Sequence, residues 1–176
     1  GRLIATVDAD GRRVEVTHDL GTRQEIVKDR LGHVTVFEYD AVGNVVRKTD
    51  ALGGVTAYTY DGADNLLTET DPLGRVATKT WDANRNLLSS TDFDGNTTTS
   101  TYDAHGRVLS TTDPDGRTTA NVYDAKGNLT QVTDPEGGVT QHAYDASGNR
   151  TSTTDPLGNV TTFGRDAFGN QISQVD

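Results

Sequence analysis

An aromatic residue followed by aspartate recurs every 21 residues, at Tyr39, Tyr60, Trp81, Tyr102, Tyr123 and Tyr144. His18 stands one step before this series and Arg165 one step after it. The aspartate that follows is present in every copy: Asp19, Asp40, Asp61, Asp82, Asp103, Asp124, Asp145 and Asp166. A second column runs Asp8, Asp29, Asp50, Asp71, Asp92, Asp113, Asp134, Asp155 and Asp176. Three residues after each of the first eight comes glycine: Gly11, Gly32, Gly53, Gly74, Gly95, Gly116, Gly137 and Gly158. Residues 8–175 are therefore eight copies without insertion or deletion, residues 1–7 are the tail of an earlier copy, and Asp176 opens the next. A fixed period of this length marks a repeat architecture, in which each unit packs against its neighbours. The expectation is a single array over 1–176, cut from a longer chain.

Each copy carries two turn signals. The first is Asp-Pro-x-Gly, at Asp71–Gly74, Asp113–Gly116, Asp134–Gly137 and Asp155–Gly158. Aspartate bonds forward to the backbone, proline presets φ, and glycine takes the fourth place, which describes a type I turn. The second is Asp-Ala-x-Gly-Asn, as at Asp124–Asn128 and Asp145–Asn149. A type I turn followed by a left-handed glycine makes a bulged hairpin loop. At the matching glycine position stand Asp64, which tolerates that region, and Arg85, which does so less easily. Asn86 follows, and the strained conformation is expected to shift to it.

Between the turns lie strand-length stretches such as Gly54–Tyr60 (GVTAYTY) and Asn65–Thr70 (NLLTET), rich in β-branched and aromatic residues. Glycine or proline punctuation leaves no room for a helix. The fold expected is all-β: tandem 21-residue β-hairpins, about sixteen strands, forming a continuous antiparallel sheet. Open sheets rarely exceed about ten strands without curling. A regular repeat gives every step the same rotation, so the sheet is expected to curl as part of a spiral, shell or tube. Alternation is weak: Val55, Ala57 and Thr59 share one face, Thr56, Tyr58 and Tyr60 the other. That suits a single layer, with the aromatic of each copy stacked over the next.

Composition agrees. Apolar residues reach about 40% where ~45–50% is usual, and the difference is made up by Thr, Asp, Asn and Ser. The net charge of −10 argues against nucleic acid and against an anionic membrane surface. There is no cysteine, hence no disulfide or thiolate site, and no apolar run long enough for a membrane helix.

The pattern Y-D-x-x-G-N/R-x(4)-T-D-P-x-G, clearest from Tyr39 to Gly158, resembles the YD repeats of bacterial Rhs proteins. Related repeats occur in toxin-complex shells, wall-associated proteins and teneurins. The resemblance implies hairpins wound into a spiralling sheet that closes a hollow, non-enzymatic shell around a toxic C-terminal cargo domain of the same polypeptide. It further implies a secreted or cell-surface bacterial protein, with flanking repeats and the cargo as partners. Rhs shells often end in Asp-Pro-x-Gly-Leu at a self-cleavage site. Here Asp71-Pro-Leu-Gly74 is followed by Arg75, and Asp155-Pro-Leu-Gly158 by Asn159. Eight copies are also fewer than a closed shell of that family needs.

The residues set apart are structural repeat positions: the six aromatics; Asp40, Asp61, Asp82, Asp103, Asp124 and Asp145; Asp71, Asp113, Asp134 and Asp155; and Gly74, Gly116, Gly137 and Gly158. Against this stand two binding readings. The aspartates could hold Ca²⁺, although their spacing is not that of calcium-binding β-rolls. The aromatics could stack sugars, which would make this an extracellular adhesion repeat binding glycans or Ca²⁺. A third reading is a fragment that self-assembles into filaments through open sheet edges. His18, His33, His105 and His142 fall at unrelated repeat positions, and Ser89, Ser90, Ser110 and Ser152 have no nucleophile context. No catalytic, metal or cofactor residue is expected.

Overall fold

The structure is a computed structural model and describes residues 2–7, 13–166 and 171–175. Asp8, Gly11 and Asp176 of the columns above lie outside the described residues. The chain falls into two compact units, Gly1–Thr97 and Thr98–Asp176. Seventeen strands and no helix are found among the described residues. The seventeenth, beyond the sixteen expected, is contributed by the partial copy at residues 1–7.

The first unit holds β1 (Arg2–Val7), β2 (Arg13–Asp19), β3 (Gln24–Lys28), β4 (Val34–Tyr39), β5 (Val45–Thr49), β6 (Val55–Tyr60), β7 (Leu66–Thr70), β8 (Val76–Trp81) and β9 (Leu87–Thr91). Within the unit each pairs antiparallel with its chain neighbours. β10 (Thr97–Tyr102) spans the unit boundary. In the second unit it is followed by β11 (Val108–Thr112), β12 (Thr118–Tyr123), β13 (Leu129–Thr133), β14 (Val139–Tyr144), β15 (Arg150–Thr154), β16 (Val160–Arg165) and β17 (Gln171–Val175). These strands too pair in chain order.

No described residue is buried, polar or apolar. A sheet with no dry inner face has no core, as the weak alternation implied. Its cohesion therefore rests on ladder bonds, half-buried side chains and the turns. Each hydrogen bond contributes a net ~1 kcal/mol, so the regularity of the turns matters more than in a two-layer domain.

The two turns, which read differently in the sequence, share one loop. At the first, the Asp71 N–H donates to the Arg75 carbonyl at 2.9 Å, and the Gly74 N–H to the Asp71 carbonyl at 2.9 Å. At the second, Asp124 donates to the Asn128 carbonyl at 2.9 Å and Gly127 to the Asp124 carbonyl at 3.0 Å. The closing glycine is left-handed in both, with φ of 82° at Gly74 and 92° at Gly127. What distinguishes the second turn is a bulge one pair further on: Tyr60 pairs with Leu66, but Thr59 pairs with Thr68. The adjacent Leu66 and Leu67 are accounted for by this extra residue, which places the aromatic at the bulge.

The expected shift of strain from Arg85 to Asn86 does not occur. Arg85 itself adopts φ 65°, as Asp64 does at 64°. The Asn86 side chain is held instead by Asp82, at 2.8 Å, which fixes Asn86 as the first residue after the loop. A shift of this kind occurs at Arg23, with φ 54°. Arg85→Gly is expected to stabilise the protein by about 1 kcal/mol, since a non-glycine residue costs ~1–2 kcal/mol in this region and glycine returns part of that as unfolded-state entropy. Thermal denaturation should show a rise of roughly 2–4 °C. Asp64→Gly should gain less, because it also removes the 2.9 Å bond from Asn44 Nδ2 to Asp64 Oδ1.

Candidate functional site

The chemistry-bearing residues gather at the turns, in one motif used repeatedly. The carboxylate of each turn aspartate takes up its own loop. Asp124 Oδ1 accepts the N–H groups of Lys126 and Asn128, both at 2.9 Å, and Oδ2 accepts Asn128 Nδ2 at 2.8 Å. The same clamp is made on Asp40, Asp61, Asp82, Asp145 and Asp155 by Asn44, Asn65, Asn86, Asn149 and Asn159. Arginine replaces asparagine on Asp71, Asp103 and Asp113, where Arg75, Arg107 and Arg117 close at 2.6–2.8 Å. At Asp134 the fourth residue on is Gly138, and only backbone N–H groups donate. Gly116, Gly137 and Gly158 close their loops at φ 80°, 86° and 89°.

These bonds favour the ionised form. Asp61, Asp82, Asp92, Asp124, Asp145 and Asp155 lie below the usual carboxylate range, chiefly through the side-chain amide of the asparagine four residues on and then its N–H. At Asp103 partial desolvation pushes upward, but the Arg107 guanidinium and the N–H groups of Arg107 and His105 outweigh it and hold the carboxyl at about 2. No group of three or more His, Cys, Asp or Glu placed to hold a metal ion occurs among the described residues.

The aromatic column has a different task from ring-on-ring stacking. Within a unit, successive column positions lie two strands apart, roughly 10 Å, beyond the 4.5–7 Å of ring contact. Four of the six polar tips instead reach a backbone carbonyl 15 residues earlier. Tyr60 donates to Val45 at 2.9 Å, the Trp81 indole to Leu66 at 2.8 Å, Tyr123 to Val108 at 3.1 Å and Tyr144 to Leu129 at 2.8 Å. The reason lies in the ladder. Between hairpins it runs for only three pairs, as from Thr49↔Val55 to Arg47↔Ala57, and the Val45 carbonyl falls beyond its end. The aromatic tip supplies the donor that the strand does not. At Arg165 a guanidinium reaches the Arg150 carbonyl in the same way, at 3.5 Å. Tyr102 ends β10 in the same column position.

Sequence reasoning missed two partners: the residue four after each aspartate, and the arginines that lie over rings. The first left a visible signal, a column of asparagine and arginine in step with the aspartates. Arg107 lies 4.8 Å from the Tyr123 ring centre, Arg150 4.8 Å from that of Phe163, and Arg75 5.5 Å from that of Phe93.

Such a ladder of clamped hairpins defines a β-repeat scaffold class. The RHS repeat family matches over residues 39–76, 60–97, 81–118, 123–160 and 144–176, and the chain belongs to that family. No curated protein matches it by sequence. Among solved structures it is similar to a TcdB2-TccC3-TEV crystal structure, at 20% identity over 99% of this chain and 11% of that one, with a TM-score of 0.78. A TcdB2-TccC3 crystal structure aligns at 16% identity over 99% and 14%, TM-score 0.65. A Photorhabdus luminescens Tc holotoxin pore aligns at 16% over 92% and 10%, TM-score 0.63. The chain spans about a tenth of the length of these proteins, and at such identities the likeness is one of fold.

Proposed function

We propose that this chain is a non-enzymatic wall segment, one stretch of a longer array of 21-residue repeats that encloses a toxic cargo domain carried on the same polypeptide. The observation that carries the reading is the uniformity of the turns. The carboxylates best placed to do chemistry are engaged by the donors of their own loops, copy after copy, and a catalytic site would break that pattern. Similar folds in toxin complexes support the role. On this reading the aromatics, aspartates and glycines of the columns are structural, 1–176 is a single array, and the protein acts at the cell surface or after secretion. The outer edge of β17 suits addition of the next hairpin of the same kind, which makes flanking repeats its first partners and self-association through that edge the consequence of isolating it.

Electron microscopy of the longest natural form of the chain tests the proposal. A closed hollow particle with density inside is expected. An open ribbon or filament would sink encapsulation and leave surface binding or self-assembly. Chelation of Ca²⁺ is expected to leave thermal stability unchanged, because the turn carboxylates already have protein donors.

A further inference from the structure

Among the described residues the second turn departs from the repeat at the joint between the turn after β2 and the end of β4, and the break leaves recognition groups unused. In the other second turns among the described residues, the residue four after aspartate closes the clamp. Here that residue is Arg23, and its left-handed backbone, φ 54°, carries it away. β2 and β3 then pair without a bulge, down to Asp19↔Gln24. The β3–β4 ladder runs to Gln24↔Glu38, and the Tyr39 N–H takes the Arg23 carbonyl at 2.9 Å. No carbonyl is left for the Tyr39 hydroxyl, which has no partner among the described residues.

The consequence is clearest beside the copy four steps on, where Asp103, Arg107 and Tyr123 correspond to Asp19, Arg23 and Tyr39. There Arg107 donates Nε to Asp103 Oδ2 at 2.6 Å and lies 4.8 Å from the Tyr123 ring centre. At the broken joint Asp19 Oδ1 accepts Gly21 and Thr22, at 2.9 and 3.3 Å. The Thr22 side chain bonds the same carboxylate, but among the described residues no arginine does. Glu25 Oε2 holds His18 at 2.8 Å, and Oε1 has no partner among the described residues. Among the described residues no arginine lies over the Tyr39 ring. These groups line a cleft of about 330 Å³ together with Arg23, Asp40 and Val42.

We propose that the joint of Asp19, Glu25 and Tyr39 binds the guanidinium of an arginine side chain on a basic polypeptide segment, in the place that Arg107 fills four copies later. The inference goes beyond the wall reading and does not depend on it. Asp19 and Glu25 supply acceptors, Tyr39 supplies a ring face, and a net charge of −10 favours the approach of a basic chain. Planarity selects arginine over lysine, because only a guanidinium can stack on the ring and present paired N–H groups at once. Arg23 lines the same cleft and is the natural competitor.

The test is a nuclear magnetic resonance titration of the ¹⁵N-labelled chain with acetyl-Gly-Arg-Gly-amide, and with its lysine counterpart. Shifts confined to residues 18–25 and 39–43, with arginine bound at least about fivefold tighter than lysine, are expected. Asp19→Asn and Tyr39→Leu should each weaken binding about tenfold, a loss of ~1.4 kcal/mol, and Arg23→Ala should tighten it. Arg107→Ala should open a second site at Asp103 and Tyr123. The proposal is overturned by an absence of shifts at the joint, or by equal shifts at acidic turns throughout with no preference for arginine. It is overturned equally if Arg107→Ala binds no additional peptide.

Discussion

Trp81→Ala is expected to destabilise the hairpins around β8 by about 3 kcal/mol while leaving the distant repeats unchanged. The indole is half-buried at the bulge opposite Leu87 and donates to the Leu66 carbonyl at 2.8 Å. Losing the bond and leaving that carbonyl unpaired costs ~1 kcal/mol. A tryptophan covers ~150–250 Å² when buried. Half of that, at ~25 cal/mol/Å², adds about 2 kcal/mol. Trp81→Phe keeps the ring and should cost only the first part, about 1 kcal/mol. In a one-dimensional array each repeat answers mainly to its neighbours. The loss should therefore appear as faster amide exchange in β7 to β9 and not in β12 to β15. If stability were unchanged and sugar binding were lost, the structural role of the aromatic column would be wrong.

The same column shows what the sequence could convey and what it could not. Hairpins, strand lengths and a single layer follow from period, turn residues and weak alternation, and all are found. The position of each aromatic was visible. Its function was not, because it depends on the ladder between hairpins stopping at Arg47↔Ala57. Ladder length is set by the bulge at Val46, repeated at Leu67, which lies one pair beyond the loop where the turn signal places a bulge. The asparagine clamp was legible in principle: Asn65, Asn86, Asn128 and Asn149 recur in step with the aspartates. Arg85 and Arg23 mark the limit of local reasoning. Both occupy turn positions that a glycine would fill more easily. Arg85 bears the strain because Asn86 is committed to Asp82. Arg23 takes up a shifted strain because Thr22, not glycine, precedes it, and Gly21 comes one residue early.

Acid should unfold this protein over a narrow range, and the same clamps set that range. Asp19, Asp29, Asp40, Asp61, Asp71, Asp82, Asp92, Asp103, Asp113, Asp124, Asp145 and Asp155 all lie below the ordinary carboxylate value in the folded chain, Asp103 at about 2. A depressed folded pKa stabilises the native state fully above the unfolded value, near 4. As pH falls below that value the unfolded chain takes up protons and the folded chain does not. The contribution shrinks, and it is gone once pH has passed the folded values. Each exposed aspartate contributes little alone, since solvent screens it, but twelve titrate in one window and the described residues form no core to hold the chain. Relief of repulsion does not offset the loss. The net charge passes through zero near pH 4.7, and below that point 16 Lys and Arg with four His leave the chain increasingly cationic. Far-UV circular dichroism melts between pH 7 and 2 should show a plateau down to about pH 5 and a steep fall in midpoint between about 4 and 2. The change should reverse on neutralisation. Asp103→Asn should lower stability at neutral pH and make the fall shallower. A chain as stable at pH 2.5 as at pH 7 would show that the turns hold without their ionised aspartates.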